Sequence, residues 1–252
     1  MLSITAIEGL PEIREGMDLA RTIGEASRRS LSLAPDAVLV VAQKVVSKAE
    51  GRLVALNTVV PGEEARALAR QVKKDPRLVE LILAESRSVI RKVPGVLIVE
   101  HHTGHILANA GIDTSNIRQE AADPRVLLWP RDPDDSAKRL SDGLSALLGQ
   151  LIPVVVNDSI GRPWRYGTVG HAIGCCGLDP LWNQVGDRDR FGNALRVTEP
   201  ATADAMAAAA ALVQGEGAEG LPAVWIQGCR FRPAQGVGAT KMLRHQDRDL
   251  FR

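Results

Sequence analysis

The sequence predicts an α+β fold of mixed α/β character, and three observations carry that prediction. Short apolar runs of strand length recur at 36–43, 95–100 and 152–157. Between them lie longer stretches with helical periodicity and cap residues. The two kinds interleave along 252 residues without a linker, repeat or low-complexity tract. One unit spanning 1–252 is therefore expected, with room for two intimate subdomains around a sizeable core.

Taken in order, Ser3 to Ile7 reads as a first strand, and Leu19, Ile23, Ala26 and Arg29 set a helical stripe behind Asp18. The run from Asp36 to Gln43 is of strand type. Helices are expected over 62–72 and 77–90, then a strand over 95–100. Asp132 can cap a helix over 133–148, with Pro133 in its first turn where a missing N–H costs nothing. A strand follows from Ile152 to Asn157. The last helix, 200–213, has Thr198 as a candidate cap and an alanine-rich body suited to close backbone packing.

Lysine and arginine number 31 against 30 acids. That balance supplies no basic field for nucleic acid or an anionic membrane. With no apolar stretch of membrane-spanning length and no signal-peptide pattern at the start, the expected location is the cytoplasm. The three cysteines, Cys175, Cys176 and Cys229, have no CxxC spacing. They read as packing thiols.

Polar clusters stand at the ends of these elements. After the 36–43 run come Gln43, Lys44 and Lys48, two lysines four apart beside a turn, able to hold polyphosphate or simply to be solvated. The stretch 108–116 offers Asp113, Ser115 and Asn116 as hard oxygen donors for Mg²⁺ or Mn²⁺, although an Asx-rich turn has the same composition. His101, His102 and His105 match no closed zinc motif and read as satisfied or surface histidines. Glycines 215, 217 and 220 follow a helix and lead to a strand, the reverse of a dinucleotide fingerprint. They can end that helix or wrap phosphates. The stretch NDSIGRPWRYG places Asp158, Ser159, Arg162, Trp164 and Arg165 at the end of a buried run. Acids, a hydroxyl, cations and a glycine loop together suit metal-assisted phosphoryl transfer without a P-loop.

Several blocks in order, VVAQKVVSKAEGR, ESRSVIR, ANAGIDTSN, WPRDPDDSAKRL, NDSIGRPWRYG, LVQGEG and the ending RDLFR, resemble the coenzyme F420-0:L-glutamate ligase family from Ile7 to Arg252. The resemblance implies a GTP- and divalent-metal-dependent ligase that joins L-glutamate to the lactyl carboxylate of F420-0 through an acyl phosphate and extends by γ-linkage. It implies Asp113, Asp158, Ser159 and Glu216 as ligands for Mg²⁺ or Mn²⁺, with K⁺ as an additional ion. Leu10, Pro11, Glu12, Ile13, Gln43, Lys48, Asn116 and the loop Gln214, Gly215, Glu216, Gly217, Ala218, Glu219, Gly220, Leu221 would hold the nucleotide. Lys48 and Arg165 are the expected catalytic cations, and Arg162 and Arg165 the expected contacts to an anionic acceptor or glutamate, with Trp164 packing their loop. A homodimer with a non-P-loop fold and no separate C-terminal flavin domain is also implied. Asp158-Ser159 stands where the family usually has Asp-Thr, and 169–187 departs from its polar pattern. The other readings are therefore a ligase for a different carboxylated cofactor and a GTP-binding sensor without turnover.

Overall fold

The computed structural model describes residues 1–30, 32–120 and 122–249, apart from the Ser30 side chain. The closing Leu250, Phe251 and Arg252 of the family-like ending lie outside the described residues. The chain opens with β1 (Ser3–Ala6), α1 (Leu19–Ser30), β2 (Val38–Ala42) and α2 (Gln43–Ala49). Then come β3 (Leu53–Ala55), α3 (Glu63–Val72), α4 (Pro76–Ala84), β4 (Ser86–Val93), β5 (Val96–His101), β6 (Ile106–Ala108) and β7 (Arg125–Leu127). The sequence of elements ends with α5 (Pro133–Leu148), β8 (Val154–Arg162), β9 (Arg165–Cys176), α6 (Thr202–Gln214) and β10 (Ala223–Gln227). Strands and helices mix throughout, as the sequence predicts.

The central sheet has the order β1-β10-β2-β8-β9. β2 and β8 run parallel and the other neighbours antiparallel. Side chains alternate across a strand, so β2 sends Leu39 and Val41 to one face and Val38 and Val40 to the other. The first face packs with Ile23, Leu140, Leu144 and Trp225 beneath α1 and α5, and the second with Ala203, Ala207 and Ala210 of α6. Burial on both faces is why β2 and β8 read as unbroken valine-rich runs. The alanines of α6 admit β9 closely: a Cβ added at Gly170 would lie 2.4 Å from the Ala207 carbonyl oxygen.

A second sheet, β4-β5-β6, packs with α3 and α4 through Leu68, Val72, Val79, Ile82, Leu97 and Val99, while β3 pairs with β7.

Local expectations change in four places. The helix expected over 77–90 stops at Ala84, and residues from Ser86 turn into a strand that pairs with β5. Pro94-Gly95 joins the pair, Gly95 having the positive φ of 87° that the second central position of such a turn requires. The lysine-bearing segment after β2 is helix, not turn. Thr198 does not cap α6, whose N-cap is Ala201. The polar stretch after Asn157 is no strand-end loop: β8 continues to Arg162, and Pro163-Trp164 form a hairpin tip into β9. Trp164 stands at that tip with 81% of its surface exposed.

Candidate functional site

The parallel pair β2 and β8 ends at Ala42 beside Asn157. Beyond that point α2 starts at once on one side, and β8 carries Asp158 and Ser159 onward on the other. Parallel strands release their chains at the same edge, so a crevice opens there. Asp113 arrives from a turn in which Asn109, Ala110 and Gly111 all have positive φ. Its backbone then pairs both ways with Leu127, at 3.0 and 2.8 Å.

The two acids are held differently. The Lys44 Nζ lies 2.5 Å from Asp113 Oδ2, and the Ser115 N–H donates to Oδ1 at 2.7 Å. Burial opposes ionisation, but these donors win and hold the Asp113 carboxyl below its usual value. Asp158 accepts from the Trp129 indole N–H at 2.8 Å and from its neighbour's backbone, Ser159 N–H, at 2.9 Å. Burial dominates there, and despite help from Trp129 and Lys44 it pushes the carboxyl up to about 6.

Two cavities meet at Asp158 and Ser159, which line both. The smaller, about 470 Å³, gathers the expected nucleotide residues Leu10, Pro11, Glu12, Ile13, Gln43, Lys48, Asn116, Gln214, Gly215, Glu216, Gly217, Glu219, Gly220 and Leu221. Ala218 alone of that set does not line it. The Lys48 ammonium donates to the Asn116 carbonyl at 2.8 Å, and the Asn116 amide to Gly217 O at 3.1 Å, so α2, the Asp113 turn and the glycine loop are tied together. Burial, the largest influence on Lys48, lowers its affinity for the proton. Gln43 Oε1 and Asn157 Oδ1 are buried acceptors without a hydrogen-bond partner among the described residues.

The larger cavity, about 1260 Å³, contains Asp113 and is walled by Ile98, Ile106, Ile112 and Ile160, with Arg91, Arg162 and Arg165 also in its lining. Arg162 Nε is enclosed and has no hydrogen-bond partner among the described residues, whereas Arg165 is exposed beside the hairpin tip. The two arginines therefore differ in what they offer an anion.

No three His, Cys, Asp or Glu side chains converge as a ready metal cage among the described residues. Ser159 donates its hydroxyl to Glu216 at 2.9 Å, which places that expected ligand beside the hydroxyl. Mg²⁺ keeps several waters and takes one or two carboxylates plus substrate phosphates. The half-buried Asp113 and Asp158, all-oxygen donors lining the larger cavity, with Asp158 also lining the smaller, fit that mode and not a closed protein site. His101, His102 and His105 each have one ring nitrogen hydrogen-bonded, to Thr103, Ala84 O and Thr103 respectively.

Sequence reasoning missed Asn157 and Trp129, and it read Lys44 only as a polyphosphate or solvated cation, not as the partner of Asp113. The signal for Lys44 was its position two residues past a buried strand. Trp129 left none, because its contact to Asp158 spans 29 residues of chain.

The chain matches the F420-0:gamma-glutamyl ligase family over residues 9–228. It is 40% identical to the coenzyme F420:L-glutamate ligase of Methanothermobacter thermautotrophicus, covering 100% of this chain and 99% of the relative. The ligase of the same name from Methanopyrus kandleri is 41% identical, with 98% and 97% covered. That from Methanocaldococcus jannaschii is 36% identical, with 85% and 84% covered.

Proposed function

The chain belongs to the F420-0:gamma-glutamyl ligase family and is a ligase, and from that premise we propose that it forms an amide between L-glutamate and the lactyl carboxylate of coenzyme F420-0, using GTP. Further glutamates would then add by γ-linkage. The observation that carries this reading is the meeting of two unlike cavities at Asp158 and Ser159. One is lined by lysines and a glycine loop, the other by isoleucines and arginines.

An amine only protonates a carboxylate in water, so the acid must be activated first. The acceptor carboxylate oxygen attacks the γ-phosphorus, and GDP leaves. The glutamate nitrogen then attacks the acyl carbon, phosphate leaves with the carboxylate oxygen, and the nitrogen loses its proton. Bound in the smaller cavity, the nucleotide would find the Lys48 and Lys44 ammonium groups beside its phosphates. The buried acceptors Gln43 Oε1 and Asn157 Oδ1 suit the N–H edge of guanine. Arg162 would take a carboxylate or phosphate of the acceptor, its enclosed Nε gaining the partner it lacks. Arg165, more exposed, is assigned to the incoming glutamate or to the acceptor's outer end. Asp113 and Asp158, with Ser159 and Glu216 nearby, would hold Mg²⁺ or Mn²⁺, which supplies charge neutralisation of the phosphates when bound. K⁺ remains an additional ion of the proposal with no donor set assigned.

The reaction draws on GTP, which places the enzyme in the cytoplasm. Among the described residues no helix is long and apolar enough to cross a membrane. A homodimer is part of the proposal, supported by the exposed Trp164 and Tyr166 on the β8–β9 hairpin. A different carboxylated acceptor is the second reading, favoured by His171, which sits opposite Asp158 in the β8–β9 register where the sequence departs from the family pattern. The sensor reading is set aside, since the relatives are ligases.

Incubation with GTP, Mn²⁺, L-glutamate and a panel of acceptors, read by mass spectrometry, tests the assignment. F420-0 should gain one glutamate less one water; gain on another acceptor alone would replace F420-0. With ¹⁸O in the acceptor carboxylate, label should enter inorganic phosphate, and its absence there would remove the acyl phosphate.

A further inference from the structure

We infer that Trp129 is a positioning residue for both site acids: its indole N–H orients the Asp158 carboxylate while its ring edge sets the turn that delivers Asp113. The inference rests on the metal role proposed for those acids.

Trp129 is fully buried and lies two residues beyond β7. A buried indole needs an acceptor, and a neutral carbonyl would serve. Here the acceptor is a carboxylate oxygen, Asp158 Oδ2, at 2.8 Å. One oxygen held by a donor gives that carboxylate a single orientation at the junction of the cavities.

The indole also bears on Asp113. A Cβ added at Gly111 would lie 2.3 Å from Trp129 Nε1, so the turn two residues before Asp113 can pass only as glycine. Leu127, two residues before Trp129, makes both backbone hydrogen bonds to Asp113. A three-residue stretch thus touches one acid through its backbone and the other through its indole.

The ring cannot easily swing away. His101 and His105 lie against it, with ring centroids 5.1 and 5.4 Å distant, and Thr103 Oγ1 is within 2.9 and 2.8 Å of their Nδ1 atoms. The Arg52 guanidinium donates to the Trp129 carbonyl at 2.7 Å and to Glu85 at 2.6 Å. Groups that orient metal ligands from behind are built in this manner. A tryptophan that merely filled space would need neither the N–H contact nor the glycine.

Trp129→Phe keeps most of the ring and deletes the donor. In the full chain, electron paramagnetic resonance of free Mn²⁺ should show roughly tenfold weaker Mn²⁺ binding. A cooperative thermal melt should persist, and kcat should recover at saturating Mn²⁺. Should this variant fail to fold, the ¹⁵N-indole resonance of Trp129 in the unaltered protein decides, assigned by elimination with Trp164→Phe, Trp182→Phe and Trp225→Phe. That resonance should move on Mg²⁺ addition, and an unmoved resonance overturns the inference. Asp158→Asn, measured in parallel, separates the two levels. If it binds Mn²⁺ like the unaltered protein, the metal reading falls and this inference with it. If Asp158→Asn weakens binding while a folded Trp129→Phe does not, Trp129 only packs and the metal reading stands.

Discussion

Asp113 has an ammonium beside it and Asp158 an indole, so neutralising the two acids should have different consequences. Asp158→Asn removes a charge that burial already resists, and the metal-free fold should survive it at pH 7. Asp113→Asn leaves Lys44 without its partner at 2.5 Å and should lower stability by about 1–3 kcal/mol. Both should abolish product formation with Mg²⁺ or Mn²⁺, and retained turnover in either would remove that acid from the site. His105 provides a pH signature. Burial, with the nearby His101 and His171, lowers its value to about 4, so the folded protein keeps it neutral while the unfolded chain protonates. The folded value lies below the unfolded one. Its contribution is therefore full above about pH 6.5 and is lost as pH falls toward about 4. Urea midpoints should drop from pH 7 to pH 5, and His105→Gln should flatten that dependence; an unchanged slope would exclude His105 as its source.

At the scale of elements, β9 is gripped closely from both faces at its glycines. A Cβ added at Gly174 would lie 2.2 Å from the Pro133 carbonyl oxygen, at the start of α5. Gly174→Ala should cost about 1–3 kcal/mol, read as a shifted denaturation midpoint, because neither backbone can retreat without disturbing the core. The β8–β9 hairpin makes a second test. Arg162 lines the larger cavity with an enclosed Nε that has no hydrogen-bond partner among the described residues. Lysine there keeps charge but loses the planar fork, so Arg162→Lys should raise KM for the acceptor by roughly tenfold, about 1.4 kcal/mol. KM for GTP should stay near its original value; a shift in GTP use instead would move Arg162 to the nucleotide side.

For the whole molecule, the proposed homodimer is expected to give twice the 27.1 kDa chain mass by light scattering at micromolar concentration. A 27.1 kDa species alone would remove it. Trp164→Ser with Tyr166→Ser should weaken assembly if the exposed hairpin is the contact, leaving the monomer fold intact because both side chains already face solvent. The two cavities meet at Asp158 and Ser159 but are otherwise lined by different residues, so loss of one substrate's binding should leave the other's measurable.

The sequence by itself determined the mixed fold, the buried strands β2 and β8, and the capped helix α5, where Asp132 accepts from Asp135 N–H as its composition predicts. These are local matters: an apolar run of valines, or an acid followed by proline, states its conformation within a few residues. The resemblance named many residues that line the smaller cavity, though not Asn157, Ala211 or Pro222, because it is carried by blocks, not by single positions. Only the tertiary structure decided where Ala84 hands over to a strand, since Ser86 to Val93 needs β5 as a partner before extended conformation is favoured over helix. It alone showed that GRPWR is a hairpin tip, because a strand beyond Asn157 is defined by pairing with β9. It alone joined Trp129 to Asp158 and Lys44 to Asp113. Hydrogen bonds and ion pairs across 29 and 69 residues have no periodicity to betray them, and they exist only after the core has brought the strands into register.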